Sequence, residues 1–370
     1  MKKKVCMILT NAFEPDVRVY KEAVYLVSNG CQVEILCWDR DPSRGFKNRE
    51  IIDGIKVIRF KRQSVAGTGY KQLGAYFGFV LDCMRYCRKR HFDYFHCNDF
   101  DGAVVWRFLR HGNSKMVFDM HEYYEDVGKG PEIERQIMRK ATIYFIKKSK
   151  FALYENDLYL KKPYKRIQNR LLKLKNYPDS KLVKYKEKTQ SEVFRVGYHG
   201  AVRVQIPEFT TLFEAVKDMP DVRVDVHGGG PDLPSLKRMQ KRYKNVFVHG
   251  PFDGVKELTD LYAKTDIVYA GYRPYCNSKE YDEVVKYYEC IITGTPIILT
   301  KGYTKMCNEI KHYGFGLVCD TLDVEEVKRT ILKLKEDKEF WNCCHENELR
   351  EALKYDWNNE VRILDVAYQL

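Results

Sequence analysis

The stretch "KYYECIITGTPIIL", Lys286 to Leu299, decides the fold. Val284, Val285, Tyr288, Ile291 and Ile292 recur at the spacing of one apolar helix face. Gly294 stands where a helix C-terminus takes a left-handed residue, and Pro296 forbids continuation. Ile297, Ile298 and Leu299 then form the short apolar run of a buried parallel strand. The reading is helix, turn, strand. Lys286 and Glu289 fall about one turn apart on the side away from the apolar stripe, so they are expected to face solvent or a ligand. The plainer reading of the pair is an exposed i, i+3 salt bridge, worth only a few tenths of a kcal/mol.

Outward from this stretch the same alternation recurs. Before it lie "FRVGYHG", "VRVDVHGGG", "VFVHG" and "DIVYA"; after it lies "GFGLVC". The first half repeats the pattern with "KVCMIL", "CQVEILCW", "IKVIRF", "FDYFHC", "KMVFDM" and "FALY", with helical stretches near 19–29, 70–90 and 132–150 between them. Strands separated by helices predict α/β architecture with parallel sheets. The polar run "NYPDSKLVKYKEKTQSE" between the halves suits a linker. The expected organisation is therefore a Rossmann-like domain over 1–180, a second over 190–354, and a terminal helix over 355–370 that packs back on the first. Two doubly wound domains facing a central cleft would bind ligands there, at the carboxyl ends of their strands.

Composition narrows the class. The first 180 residues hold 35 Lys and Arg against 21 Asp and Glu, the rest 29 against 30, so the net charge of +13 resides in the first half. Such an excess suits an anionic partner, nucleic acid or a lipid surface, or simply a solvated lysine-rich surface. The twelve cysteines show no CxxC or Cys/His spacing for zinc and read as buried thiols of a reducing cytoplasm. The run "LGAYFGFVL" stops well short of the ~18 residues that a membrane span needs.

No Walker A pattern and no G-x-G-x-x-G after the first strand is found. The glycines of "HGGGP", Gly228, Gly229 and Gly230, could bring backbone close to a diphosphate, or could simply make a tight turn. Arg203, just after a strand, could grip a phosphate bidentately, with Lys286 as a second charge near a helix N-terminus and Glu289 free to accept hydrogen bonds from a ribose.

Taken in order, "NAFEPDVRVYKEAVYLVSNG", "FHCNDFDG", "VFDMHEYYED", "LKNYPD", "VGYHGAVR", "VHGGGP", "VFVHGPF", "DIVYAGYRPY" and "VVKYYECIITGTPIIL" resemble the retaining GT-B glycosyltransferases of family 4, and within it a bacterial branch that builds surface polysaccharides. The resemblance implies metal-independent, cofactor-free transfer of a sugar from a nucleotide-sugar donor, expected to be a UDP-sugar, to a hydroxyl of a saccharide or lipid-diphosphate-linked acceptor. It implies catalytic roles for His121, Arg203, Lys286 and Glu289. Donor contacts would come from Gly200, Gly228, Gly229, Gly230, Pro251, Phe252, Asp282 and Glu283, and acceptor-side residues would be Asn11, Asp16 and Arg18. The family often carries a second glutamate earlier in the Glu289 motif; here Tyr281 stands between Glu280 and Asp282.

The basic, partly apolar helix expected over Glu132 to Lys150 would suit the anionic inner face of a plasma membrane, and "MRYCRKRHF" adds charge to the same domain. Competing classes are a nucleic-acid-binding protein, which would show steep salt dependence, and a sugar-nucleotide epimerase of the same architecture, which needs no acceptor.

Overall fold

The computed structural model describes all residues except Met1, Pro15, 65–68, His111, 126–131, 189–190, Val204 and 273–282. The chain divides into two compact units, Met1–Lys175 with Glu360–Leu370, and Asn176–Asn359.

The first unit is built on an eight-stranded sheet: β1 (Lys4–Leu9), β2 (Gln32–Asp39), β3 (Arg49–Ile52), β4 (Ile55–Lys61), β5 (Tyr94–Asn98), β6 (Lys115–Met120), β7 (Phe151–Tyr154) and β8 (Leu171–Lys173), in the order β3-β4-β2-β1-β5-β6-β7-β8. Only β3 pairs antiparallel, with β4 at the edge. The central strands are near-continuous apolar runs because helices cover both faces. Helix α1 (Val17–Ser28) starts at Asp16, whose Oδ1 accepts from the Val19 N–H at 3.3 Å. Helices α2 (Leu73–Cys87), α3 (Asp99–Phe108) and α4 (Glu132–Lys148) share one core on a single face of the sheet, where Phe79 stacks on Trp38 at 5.9 Å and Phe145 meets Phe118 edge-on at 6.0 Å.

The second unit holds a six-stranded parallel sheet of β9 (Phe194–His199), β10 (Val222–His227), β11 (Val246–Gly250), β12 (Ile267–Ala270), β13 (Ile297–Thr300) and β14 (Gly316–Cys319), ordered β11-β10-β9-β12-β13-β14. The helices between the first five are α5 (Ile206–Val216), α6 (Leu233–Met239), α7 (Leu258–Ala263) and α8 (Val285–Thr293). Strand order reverses between β9 and β12, which marks the carboxyl end of β9 as the switch point where such sheets bind ligands.

The domain boundaries depart from those expected. The polar run after Lys175 is not a free linker but packs on the second unit: Val183 is buried, Ser180 Oγ donates to Asp356 Oδ2 at 2.6 Å, and Lys188 Nζ donates to the Tyr262 and Thr265 carbonyls at 3.0 and 2.9 Å. Residues 355–359 likewise stay with the second unit, where the Trp357 N–H donates to the Pro178 carbonyl at 2.9 Å. The single helix expected over 355–370 is two short ones, Trp357–Glu360 and Ile363–Tyr368, and only the latter lies wholly in the first unit. All described cysteines are free and all but Cys343 are buried. Among the described residues, no helix is long and apolar enough to cross a membrane.

Candidate functional site

In the second unit, β9, β10 and β11 lie side by side and each closes on a His-Gly step: His199-Gly200, His227-Gly228 and His249-Gly250. The imidazoles form a row, His199 to His227 at 5.5 Å and His227 stacked on His249 at 4.2 Å. Burial and the neighbouring His249 push His227 down to about 4, and burial with the Lys286 charge pushes His199 well below its ordinary range, so both are neutral rings at pH 7. Nothing in the sequence reading singled these histidines out, although the threefold His-Gly ending was there to be seen.

The loops after β9 and β10 touch backbone to backbone. The Gly200 N–H donates to the His227 carbonyl at 2.9 Å, the Val202 N–H to the Gly229 carbonyl at 2.8 Å, and the Gly228 N–H to the Gly250 carbonyl at 2.7 Å. A Cβ on Gly228 would lie 1.7 Å from the Gly200 carbonyl oxygen, and Gly230 holds φ +147° with the Val202 carbonyl 2.1 Å from its would-be Cβ. Close loop packing thus accounts for Gly228 and Gly230 without a ligand, and the Gly228 N–H is already spent. Gly228→Ala should destabilise the protein by about 1–3 kcal/mol, read as a lowered urea midpoint; an unchanged midpoint would refute this packing.

Lys286, in the first turn of α8, does not face solvent as its spacing suggested: it is buried, and its Nζ donates to the His199 carbonyl. The ammonium sits 4.4 Å from the Tyr198 ring centre and 5.7 Å from that of Tyr272. The Cβ of any other residue at 200 would lie 2.5 Å from this nitrogen, so Gly200, at φ +146°, is what lets the lysine reach the end of β9. The expected solvent-facing flank fails because α8 is packed nearly all round, with Tyr287, Tyr288, Cys290, Ile291 and Ile292 buried. Glu289, one turn on, is half-buried and accepts from the Tyr262 hydroxyl at 2.8 Å. Tyr262 in turn lies 5.0 Å from the His199 ring. One cation and one carboxylate are therefore both held by neighbours beside the switch-point strand.

The remaining donor-side residues are placed as follows. Arg203 is exposed in the loop after β9. Pro251 is exposed and touches the Gly229 position, while Phe252 is half-buried and edge-on to His227 at 6.5 Å. Glu283 is engaged structurally, accepting from the Tyr288 hydroxyl at 2.6 Å and pairing with Lys305 at 2.8 Å. Asp282, with Glu280 and Tyr281, lies outside the described residues.

In the first unit, the candidate acceptor residues divide. Asn11 is exposed and donates to Asp16 Oδ2 at 2.9 Å, and Asp16 serves as the α1 N-cap. Arg18 is not displayed at the helix start as expected: it is buried, bonded to both oxygens of Asp119 at 2.7 and 3.2 Å, to Glu155 at 3.1 Å, and lies 3.4 Å from Glu22. The helix starts at the loop, but its first turn points the guanidinium into the sheet. His121 follows β6, with Nε2 at 2.7 Å from Asp119 and Nδ1 at 3.3 Å from Asp99. Burial alone would lower it, but the Asp99 and Asp119 charges hold it well above the ordinary histidine range as an imidazolium. Asp99 itself adopts φ +57°, an uncommon conformation for a non-glycine residue and one that aims its carboxylate back at His121.

Among the described residues, two groups bring His and carboxylate atoms within 4.8 Å of one another, Asp225 with His227 and His249, and Glu22 with His96 and Asp119. In each, a guanidinium already covers the shared carboxylate: Arg223 forks onto Asp225 at 2.8 and 2.9 Å, and Arg18 onto Asp119. Those positive charges oppose a bound cation.

No protein-family model matches the sequence, and no curated protein matches it. Solved structures do match. Sucrose-phosphate synthase from Thermosynechococcus elongatus superposes with TM-score 0.76 at 14% identity, over 100% of this chain and 98% of that one. HepE (Alr3699) of Anabaena, in complex with UDP and glucose, gives 0.68 at 14% identity over 99% of each chain. WaaG, a glycosyltransferase involved in lipopolysaccharide biosynthesis, gives 0.60 at 14% identity over 98% and 99%. At this identity the likeness shows the fold, the two-domain α/β GT-B fold.

Proposed function

We propose that this protein is a glycosyltransferase of the retaining family 4 type, moving a sugar from a UDP-sugar to a hydroxyl of a saccharide or lipid-diphosphate-linked saccharide in bacterial surface-polysaccharide synthesis. The observation that carries the reading is the Lys286 and Glu289 pair at the carboxyl end of β9. Support comes from the fold and from HepE, a structural neighbour determined with UDP and with UDP-glucose. Lys286, together with the N-terminus of the nine-residue α8, would stabilise the charge that grows on a departing diphosphate, and Arg203 has the exposed reach to join it. Glu289 would hold the ribose hydroxyls.

In the reaction, the anomeric carbon loses its bond to the diphosphate oxygen and gains one to the acceptor oxygen on the same face, while the acceptor proton passes to the departing diphosphate. Positioning and charge stabilisation suffice, with no protein nucleophile, metal or cofactor. Imidazolium His121 would act on the reacting sugar by sharing the longer of its two bonds, the one to Asp99. We place the enzyme in the cytoplasm, in contact with the anionic inner face of the plasma membrane.

A thermal-shift panel of UDP, GDP, ADP and dTDP tests the reading. UDP is expected to raise the melting temperature selectively, by mass action on the folded state. No shift with any nucleotide, in well-folded protein, would overturn it; a UDP shift with UDP-sugar interconversion in the absence of acceptor would reassign it to an epimerase.

A further inference from the structure

Helix α2 buries Phe79, Val80, Cys83, Tyr86 and Cys87 against the sheet, as a surface helix should. Its other side is the anomaly. Leu73, Phe77, Leu81 and Met84 are 38–52% exposed, and at ~100° per residue they fall within roughly an 80° arc, so they form one continuous apolar stripe on solvent. Phe108, the last residue of α3, is 47% exposed and closes the stripe at its carboxyl end, where Leu81, Met84, Phe108, Arg85, Arg88 and Arg110 line a shallow cavity of about 270 Å³. A stripe of this size is not spent on the fold, since among the described residues neither core residues nor helices cover it.

At the carboxyl end of the stripe the unpaired charge has one sign. Arg88, Lys89, Arg107 and Arg110 are exposed around the carboxyl ends of α2 and α3 and form no ion pair among the described residues. The one acid on α2, Asp82, is neutralised by Arg62 at 2.9 Å and Arg85 at 3.3 Å. Helix α4, on which the sequence reading placed the basic apolar surface, is less suited. Its exposed Ile133 and Ile137 lie beside the exposed acids Glu132 and Glu134, and Arg139 is spent on Glu125 at 2.5 Å.

We infer that α2, with the end of α3, is the surface by which this protein lies on an anionic lipid bilayer, its four-residue stripe entering the headgroup boundary and its arginine rim meeting lipid phosphates. An apolar stripe fringed by cations is the pattern that binds such a surface by apolar burial and charge attraction together. A protein partner of matching shape would need no such uniform cationic rim, and a second copy of this face would bring like charges together. The inference deepens the membrane contact proposed above and rests on that reading for the partner's class; the site itself rests on α2 and the end of α3.

The test is co-sedimentation of the full chain with vesicles of phosphatidylcholine alone, or of phosphatidylcholine with a quarter phosphatidylglycerol, in the absence of nucleotide. Wild type is expected to bind the anionic vesicles and to release them as salt is raised. The double variants Phe77→Ser with Leu81→Ser, and Arg88→Glu with Arg110→Glu, should each lower partitioning at least ~10-fold, with unchanged circular dichroism and an unchanged UDP thermal shift. Ile133→Ser with Ile137→Ser should bind like wild type. Equal binding to both vesicle types, undiminished binding by the folded α2 variants, or loss confined to the α4 variant would overturn the inference. So would a dimer in sedimentation velocity that the Phe77→Ser, Leu81→Ser variant dissolves, which would give the face to a second copy. Because vesicle binding and nucleotide binding are read separately, failure of one leaves the other standing.

Discussion

Glu289→Ala is expected to abolish about half or more of the thermal stabilisation that UDP confers while leaving the apo protein folded. Wild type at about 100 times its dissociation constant in UDP gains ~2.7 kcal/mol by mass action. A hydrogen bond to a charged acceptor contributes about 1.5–3 kcal/mol, so losing a carboxylate that holds one or two ribose hydroxyls weakens binding roughly 10–100-fold. At the same UDP concentration the gain then falls to about 0.4–1.4 kcal/mol. The apo protein should stay folded but melt lower: Glu289 is half-buried, yet the Tyr262 hydroxyl that bonds it at 2.8 Å is buried, and leaving that donor without its acceptor costs about 1–3 kcal/mol. Glu289→Gln, which keeps an acceptor for Tyr262, separates the two roles: a retained apo melting temperature with a lost UDP shift assigns the carboxylate to the donor. A UDP shift equal to wild type in folded Glu289→Ala would remove this residue from the donor site and, with it, the main support for the transferase reading.

The contrast between Glu289 and Lys286 shows what the sequence could and could not reveal. Period and punctuation placed α8, Gly294 and β13 correctly, because a buried parallel strand and a left-handed helix end each leave a local signature; Gly294 indeed holds φ +59° at the C-cap. The same local logic put both charges on a free flank. Burial on that flank comes from Tyr198, Tyr262 and Tyr272, residues 14 to 88 positions upstream in the chain, and no periodicity within α8 carries it. Edge strand β3 and helix α3 escaped for a related reason: "REII" is too short to alternate visibly, and α3 begins directly off β5 at Asn98, with no loop between. The three glycines after β10 were legible as close backbone approach, but the approach is to the neighbouring loop. Distinguishing a loop from a phosphate as the thing approached needs the third dimension.

Asp119 is the residue on which the first unit's polar interior converges, and its removal should have the largest effect on stability. Arg18, His96 and His121 all pack on its carboxylate, at 2.7, 3.7 and 2.7 Å. Asp119→Asn keeps the shape but strips the shared anion from three cationic groups, and breaking a buried pair in this way costs about 3–5 kcal/mol. The pH dependence follows from the shifts. Burial alone would lower His96, but the Asp119 and Glu22 carboxylates beside its Nε2, at 3.7 and 3.1 Å, raise it to about 9, and His121 is raised likewise by Asp99 and Asp119. Unfolded histidine titrates near ~6.5, so the contribution of both is fully present below that pH; that of His96 is lost as pH rises through about 9, and that of His121 is lost in the same direction, as pH rises through its own raised value. For His96 the span amounts to roughly 3 kcal/mol. Asp119 acts on the other flank: burial would raise it, but the charges of Arg18 and His121 hold it well below the ordinary carboxylate range, so its contribution is present above ~4 and is lost only as pH falls through that depressed value. Hydrogen exchange of peptides covering β1 and β6, in wild type at pH 5.5, 7.5 and 9, should therefore show protection declining toward pH 9 beyond the base-catalysed rate. In Asp119→Asn the decline should shrink, because the histidines lose the anion that keeps them charged. Protection independent of pH in wild type would mean that His96 and His121 are buried neutral.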